Sequence, residues 1–271
     1  MGAMIRQAAL ALARPLERCM PRMLPRLVII GAQKAGTTTL YDLLAQHPRI
    51  IQPRVKEISF FSSEKAYARG MDHYRSFLPP APLFARGCIT FDASPMYLYH
   101  PQAAERIARH LPGALCLALL RNPVERAYSA WNMYHQFKDD PRNAHRYDPR
   151  SFEEAVEEEL TGRVVDPGRA YLDRGRYAPQ LERYRRSVGD ANLLVMPFDR
   201  LRTDPHGLVN TVLRRLGLPE LPPDHPAFAT RSNARAYAAP LDARLKERLQ
   251  SYFADDLERT FRLTGITLSG S

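Results

Sequence analysis

Six consecutive residues near the start of the chain have the side chains and backbone amides that bind phosphate groups. Lys34 supplies a full positive charge, Gly36 allows backbone angles that a side chain would forbid, and three threonines add hydroxyl donors. The amides of residues 35–39 would lie at a helix N-terminus, where the helix dipole and unpaired N–H groups favour an anion. The predicted phosphate-binding residues are therefore Lys34, Ala35, Gly36, Thr37, Thr38 and Thr39.

This cluster needs a strand before it and a helix after it, and the sequence predicts both. Residues 27–30 read LVII, an apolar run typical of a strand that is covered on both faces. Leucines then recur at helical spacing over residues 40–44, and the helix is predicted to end before Pro48. The loop differs from a Walker A motif, because Lys34 precedes Gly36 and no lysine follows it. An ordinary strand–helix turn is the structural alternative.

A second strand-to-helix segment, LALLRNPVERAYS, occupies residues 117–129. Arg121 ends its apolar run, and Pro123 favours the first turn of a helix. Ser129 lies two turns further along that helix. An arginine and a serine placed in this way can hold a second phosphate from two directions.

With a third segment, KEISFF at residues 56–61, these motifs resemble the sulfotransferase family that uses 3′-phosphoadenosine 5′-phosphosulfate (PAPS). The carbohydrate branch is the most similar, namely the heparan sulfate N- and O-sulfotransferases and their bacterial relatives. The similarity covers residues 27–218 in family order. Three ordered motifs are far more specific than any one of them alone.

The resemblance implies a role for each motif. The loop that begins at Gln33 and runs to residue 38 holds the 5′-phosphosulfate, while Arg121 and Ser129 hold the 3′-phosphate. Glu57 is implied as the catalytic base, and Lys34 as the group that stabilises charge on the leaving phosphate. In the basic loop at residues 230–237, where the family closes over the 3′-phosphate, the candidates are Arg231 and Arg235.

The acceptor side is less defined by the motifs. We assign Lys56, Ser94 and Trp131 to substrate binding, with core packing as the favoured alternative for Trp131. Glu57 is expected to be half-buried beside two phenylalanines. His47 and His73 lie outside the matching motif, so we interpret both as surface groups.

The remaining pattern predicts an α/β fold with a central, mostly parallel β-sheet flanked by helices, and a P-loop-like phosphate-binding strand–loop–helix. Residues 136–175 are polar and contain prolines, so we predict a lid or an acceptor-side excursion there. The further predicted strands are 88–91 and 192–196, and the further predicted helices are at 104–111, 152–160, 177–184, 208–216 and beyond residue 240.

Composition and charge narrow the functional classes. The 271 residues are 45% hydrophobic and 25% charged, as in a globular domain, and the formal net charge of +10 suits an anionic ligand. No basic run is interleaved with aromatic residues, so nucleic acid is not an expected partner. Cysteines 19, 88 and 116 are too scattered for a disulfide framework or a metal site. We therefore expect no metal, a reducing compartment and a cytoplasmic location.

The N-terminal segment differs from the rest of the chain. We predict a basic amphipathic extension at residues 1–24 and a sulfotransferase domain at residues 25–271. No apolar run is long enough to span a bilayer. A weak peripheral contact with the inner membrane surface is one interpretation of this extension, and a surface-packed or poorly ordered segment is the other.

These observations predict transfer of a sulfuryl group from PAPS to a hydroxyl or amine of a small-molecule or glycan acceptor, with a carbohydrate favoured. One alternative is a P-loop-type nucleotide kinase, although no acidic residue is clearly placed for magnesium. Another is a catalytically silent anion- or glycan-binding protein on the same fold, because function depends on the site and not on the fold.

Overall fold

The computed structural model describes residues 20–81, 87–163, 166–228 and 240–270, which form an α/β fold around one five-stranded sheet. Every strand pairs in parallel with its neighbours, in the order β2-β3-β1-β4-β5. The predicted sheet is therefore confirmed. The strands are β1 (Leu27–Gly31), β2 (Ile50–Ile51), β3 (Ile89–Ala93), β4 (Leu115–Leu120) and β5 (Leu193–Pro197).

Helices connect the strands and cover the sheet. They are α1 (Thr37–Leu44), α2 (Glu64–Tyr67), α3 (Gly70–Ser76), α4 (Ala103–His110), α5 (Pro123–His135), α6 (Phe152–Leu160), α7 (Tyr177–Val188), α8 (Phe198–Thr203), α9 (Pro205–Arg215) and α10 (Ala243–Thr264). Helix α4 packs against α7, and α1 packs against α9. The predicted helices agree with these elements, and α6 begins and ends at the predicted residues 152 and 160.

The three central strands explain why the sheet needs cover on both faces. Every residue of β1, β3 and β4 is buried. In a strand, successive side chains point to opposite faces, so a fully buried strand has a packed layer on each side. Cys116 lies within β4 and is completely buried.

A second apolar cluster lies outside the sheet and organises residues 136–175. Phe137, Phe152 and Tyr171 from this segment pack with side chains of α5 and with Phe253 of α10. Helix α6 starts at a capping box, in which Ser151 and Glu154 each bond to the other's backbone amide. The predicted lid region is therefore anchored to the domain through a core of its own.

His47 corrects one prediction, because it is only 2% exposed and is not a surface group. Its Nε2 lies 3.0 Å from the carbonyl oxygen of Pro219, and its Nδ1 accepts the amide of Arg49 at 3.1 Å. These two bonds fit a neutral imidazole protonated on Nε2. Burial lowers the pKa of His47, and the charge of Arg49 acts in the same direction.

Two residues inside the predicted extension at 1–24 already bond to the rest of the chain. The amide of Met23 donates to Pro79, and the amide of Ala81 donates to Pro21. Residues 1–19 lie outside the described residues, so the amphipathic helix proposed there stays a prediction. Within the described ranges, no helix combines the length and apolar character needed to cross a membrane.

Replacing His47 tests the neutral, buried imidazole. Because the folded-state pKa is depressed, the stability that His47 contributes is present above about pH 6.5 and is lost as the pH falls below that value. We expect His47→Ala to lower the free energy of unfolding by about 1–3 kcal/mol at neutral pH, with a smaller difference in acid. Denaturant unfolding across this pH range measures the difference in stability. The control is His145→Ala, because His145 is exposed. A pH-independent difference would contradict a neutral imidazole.

Candidate active site

The loops that carry the three sequence motifs meet at one edge of the sheet. Strand β1 lies between β3 and β4, and all three are parallel, so their carboxyl ends point the same way. Strands β2 and β3 lie on one side of β1, and strands β4 and β5 lie on the other side. Ligands of open α/β sheets bind in the crevice at such a switch point.

The phosphate-binding loop has the backbone that the sequence predicts. Helix α1 begins at Thr37, and Gly36 precedes it with a φ of 79°. A Cβ on Gly36 would lie 2.7 Å from Leu201 Cδ2, so only glycine fits this turn. The first turn of α1 contains no acidic side chain. Its first amides therefore offer an anion site that no carboxylate in the same turn opposes.

Arg121 connects the second motif to the first. Its Nη1 donates to the carbonyl oxygen of Lys34 at 3.4 Å, and its Nε and Nη2 donate to the carboxylate of Glu125 at 3.1 Å. The guanidinium also lies over the ring of Phe198. Ser129 follows one turn after Glu125 on α5 and is 8% exposed. The two predicted phosphate-binding segments are thus neighbours in space although 87 residues separate Arg121 from Lys34.

Glu57 lies in a strained loop between β2 and Phe60. Among the described residues, the non-glycine residues with positive φ are Lys34, Glu57 and Ser59, with values of 69°, 57° and 54°. Such conformations cost free energy and concentrate at functional sites. Glu57 is exposed, so the expectation of a half-buried carboxylate is wrong. The side chains of Phe60 and Phe61 are buried in the core, whereas the side chain of Glu57 is exposed.

A buried carboxylate that the sequence analysis missed holds this loop. Asp92, at 0% exposure near the end of β3, accepts hydroxyl bonds from Tyr74, Tyr97 and Ser94 at 2.8–3.1 Å. Ser94 in turn accepts the amide of Ser59 at 3.0 Å. Burial raises the pKa of Asp92, and the three hydroxyl bonds oppose that rise. The one signal in the sequence was an aspartate within the apolar run ITFDA.

Gln33 is held between two side chains that come from distant segments. Its Nε2 donates to the hydroxyl of Tyr134 at 3.2 Å, and its Oε1 accepts a bond from Arg174. Arg146 also donates to Tyr134 and stacks on its ring. Burial alone would raise the pKa of Tyr134, but the charge of Arg174 and the donors on its oxygen lower it. Neither Arg174 nor Tyr134 belongs to one of the three motifs recognised in the sequence.

The residues assigned to the acceptor side are placed differently from one another. Lys56 is exposed, with Nζ 5.1 Å from the centre of the Tyr41 ring. Ser94 is completely buried in the Asp92 network. Trp131 donates its indole N–H to the carbonyl of Arg150 at 2.9 Å and stacks on Tyr128. Its contacts are those of core packing, the alternative that the sequence favoured.

Arg231 and Arg235 lie outside the described residues. Within the part of the chain that the structure describes, no group of three or more histidine, cysteine, aspartate or glutamate side chains could hold a metal ion.

Comparison with known proteins agrees with this arrangement. Residues 24–231 match the family described as Sulfotransferase domain. The chain is 32% identical over 205 residues to bifunctional heparan sulfate N-deacetylase/N-sulfotransferase 4 of Mus musculus, which covers 72% of this chain and 22% of that protein. The sulfotransferase of Alicyclobacillus acidocaldarius superposes with a TM-score of 0.70 at 29% identity, over 90% of this chain and 97% of that one. A mouse sulfotransferase complexed with PAP shares the fold at 14% identity, with a TM-score of 0.50 over 90% of this chain and 88% of that one.

The chain therefore belongs to the sulfotransferase domain family. It spans only 22% of the length of the first curated relative, so that relative's complete activity does not transfer directly. The resemblance drawn from the three motifs is confirmed, and so is the P-loop-like fold.

Asp92→Ala tests the buried carboxylate network. The change leaves two tyrosine hydroxyls and Ser94 without their acceptor, and each unsatisfied buried group costs about 1–3 kcal/mol. We therefore expect the free energy of unfolding to fall by about 3 kcal/mol or more. Asp72→Ala is the control, because that aspartate is 96% exposed and its ion pair with Arg75 is worth little. Denaturant titration measures both variants, and equal losses would refute the network's role.

Proposed function

We propose that this protein transfers a sulfuryl group from PAPS to a hydroxyl or amine of a carbohydrate acceptor. The observation that carries the proposal is the hydrogen bond between Arg121 and the Lys34 carbonyl. It brings together, at the switch point of the sheet, two segments that the family uses for the two phosphate ends of one nucleotide.

The residues present fit the two phosphate ends of such a nucleotide. The amides at the start of α1, with Lys34 and the threonines at 37–39, would hold the 5′ end. Arg121 and Ser129 would hold the 3′-phosphate, for which Arg121 offers a planar set of N–H donors. Gln33 is fixed beside the loop by Arg174 and Tyr134. Arg231 and Arg235 stay candidates for the 3′-phosphate.

PAPS supplies the activated sulfuryl group, and the chain supplies positioning, charge and a base. Glu57 is the proposed base that takes the acceptor proton. Its exposure lets it meet an acceptor that arrives from solvent, while the Ser59–Ser94–Asp92 bonds keep its loop in place. Lys34 stabilises negative charge that develops on the leaving phosphate. The strained φ angles of Lys34 and Glu57 are consistent with pre-organised catalytic positions.

The proposal of a carbohydrate acceptor rests on the named relatives. The matching segment of the mouse protein belongs to a heparan sulfate N-deacetylase/N-sulfotransferase. The peripheral membrane contact of residues 1–24 is a separate proposal that this reaction does not require.

A direct assay tests the function. Labelled PAPS is incubated with the full chain and a panel of glycans and small hydroxyl or amine acceptors, and transfer of label is measured with EDTA present. Transfer that requires the protein and an acceptor supports the proposal. Phosphoryl transfer from magnesium-ATP in its place would favour the kinase, and nucleotide binding with no transfer to any acceptor would favour a silent binding protein.

Glu57→Gln separates chemistry from binding. The variant keeps the shape of the side chain but loses the base, and general base catalysis contributes about 10²–10⁴-fold in rate. We expect turnover to fall by that range while affinity for 3′-phosphoadenosine 5′-phosphate (PAP) stays within a few-fold. Glu153→Gln, an exposed glutamate at the start of α6, is the matched control. Near-normal turnover of Glu57→Gln would exclude this residue as the base.

Arg121→Ala tests the proposed 3′-phosphate contact. A hydrogen bond to a charged group is worth about 1.5–3 kcal/mol, so PAP should bind roughly ten- to a hundredfold more weakly. Arg109→Ala is the control, because Arg109 makes a similar ion pair four residues away, with Glu105, on the surface of α4. Calorimetric titration measures both. Comparison with adenosine 5′-phosphate locates the loss, because this ligand lacks the 3′-phosphate and should bind both variants equally.

A further inference from the structure

The side-chain amide of Gln33, where the phosphate-binding loop begins, is held in a single orientation. Its Oε1 accepts a hydrogen bond from Arg174, and its Nε2 donates to the hydroxyl of Tyr134 at 3.2 Å. A guanidinium group carries donors and no acceptor, so the amide oxygen must face Arg174 and the NH₂ group must face Tyr134. Turning the amide over would place N–H groups against N–H groups.

Both partners of Gln33 are themselves held in place. Tyr134 on α5 and Arg174, just before α7, are each 5% exposed. The guanidinium of Arg174 lies over the ring of Tyr99, and its backbone carbonyl accepts a hydrogen bond from Gln180 Nε2 at 3.2 Å. The amide of Gln33 is thus clamped between two buried side chains from separate segments of the chain.

The surroundings of the Tyr134 hydroxyl favour its oxygen as a hydrogen-bond acceptor. Besides Gln33, Arg146 donates to this oxygen from Nη2 at 3.5 Å, and its guanidinium lies over the ring. Burial would raise the pKa of Tyr134, but the charge of Arg174 and the hydrogen bonds from Gln33 and Arg146 lower it. Neighbours that stabilise negative charge on an oxygen also strengthen the bonds which that oxygen accepts.

One N–H of the Gln33 amide is left for another group. A carboxamide has two N–H donors, and the bond to Tyr134 uses one of them. Across the ranges that the structure describes, the Gln33 side chain makes no hydrogen bonds other than those to Tyr134 and Arg174. Gln33 is partly exposed and directly precedes Lys34. Because a carboxamide is planar, the clamp also fixes the direction of the remaining N–H.

We propose that Tyr134 and Arg174 are positioning residues, which direct the remaining N–H of Gln33 at the sulfuryl group of PAPS. This inference rests on the proposed function. The loop amides after Lys34 would hold the 5′-phosphate, and Arg174 belongs to the segment at residues 136–175 that is predicted on the acceptor side. Gln33 lies between the two, as does a group that passes from donor to acceptor. A donor that is oriented in advance needs no reorganisation when its partner arrives.

The test compares the binding of PAPS with that of PAP, because PAP lacks only the sulfuryl group. Calorimetry on the full chain measures both affinities and needs no acceptor. We expect Gln33→Ala to bind PAPS about tenfold more weakly, because a bond to a charged group is lost, and to bind PAP within about twofold of the wild type. Tyr134→Phe keeps the ring but lets the amide turn. It should weaken PAPS binding about three- to tenfold, because only a fraction of the side chains still points correctly.

A double-mutant cycle separates positioning from a general loss of structure. If Tyr134 acts through Gln33, Tyr134→Phe should have no further effect on PAPS binding in a Gln33→Ala background. The matched control is Tyr171→Phe, which removes a buried hydroxyl from the same apolar cluster, but one that donates to Asp148. We expect this control to unfold at a lower denaturant concentration and to keep both affinities.

Weaker PAPS binding that depends on Gln33, with PAP binding unchanged, supports the positioning role. Unchanged PAPS binding in Tyr134→Phe, an equal loss with and without Gln33, or an equal loss for PAP overturns that role while the proposed function stands. If PAPS does not bind the wild type, the proposed function fails and the positioning role fails with it. If Tyr134→Phe does not fold, the same cycle is run with Arg174→Met, which removes the other partner of the amide, and the same results decide.

Discussion

The position of β1 between β3 and β4 is the constraint on which the rest of the structure depends. A fully buried apolar strand can satisfy its backbone only by pairing on both edges, and it can satisfy its side chains only by cover on both faces. Parallel pairing with two neighbours then forces three loops to leave the sheet at one edge. The phosphate-binding loop, the Ser94 turn and the Arg121 turn are neighbours for this reason, and the contact of Arg121 with Lys34 follows from it.

Buried polar groups turn this proximity into defined geometry. Asp92 fixes Ser94 and, through it, the loop of Glu57, while His47 connects the end of the α1 region to Pro219. Asp256 on α10 accepts the amides of Tyr177 and Ala178 and so supports the start of α7. Each of these side chains has its hydrogen-bonding groups paired with the protein. Satisfied networks of this kind rigidify a core, because any alternative arrangement would leave a buried polar group without a partner.

The two arginines beside Gln33 depart from this pattern. Arg126 and Arg174 are 0% and 5% exposed, and both keep buried N–H groups that have no acceptor among the described residues. An uncompensated buried charge costs stability. The same edge of the sheet also carries the left-handed backbone of Lys34, Glu57 and Ser59. Strain and unpaired charge thus accumulate together around the loop ends, whereas the sheet beneath is regular.

The sequence by itself determined the class of the fold, the order of its elements and the position of the two segments predicted to bind phosphate. These depend on local signals: apolar runs, helical spacing, Pro123 at a first turn and Gly36 at a left-handed position. It could not reveal Asp92, His47, Tyr134 or Arg174 as functional or structural centres. Their importance comes from partners up to 172 residues away in the chain, as for His47 and Pro219, and a single sequence carries no record of such contacts. Burial was misjudged at Glu57 and His47 for the same reason. Whether a polar side chain faces solvent or the core is decided by the elements that pack over it, and only the tertiary structure brings those elements together.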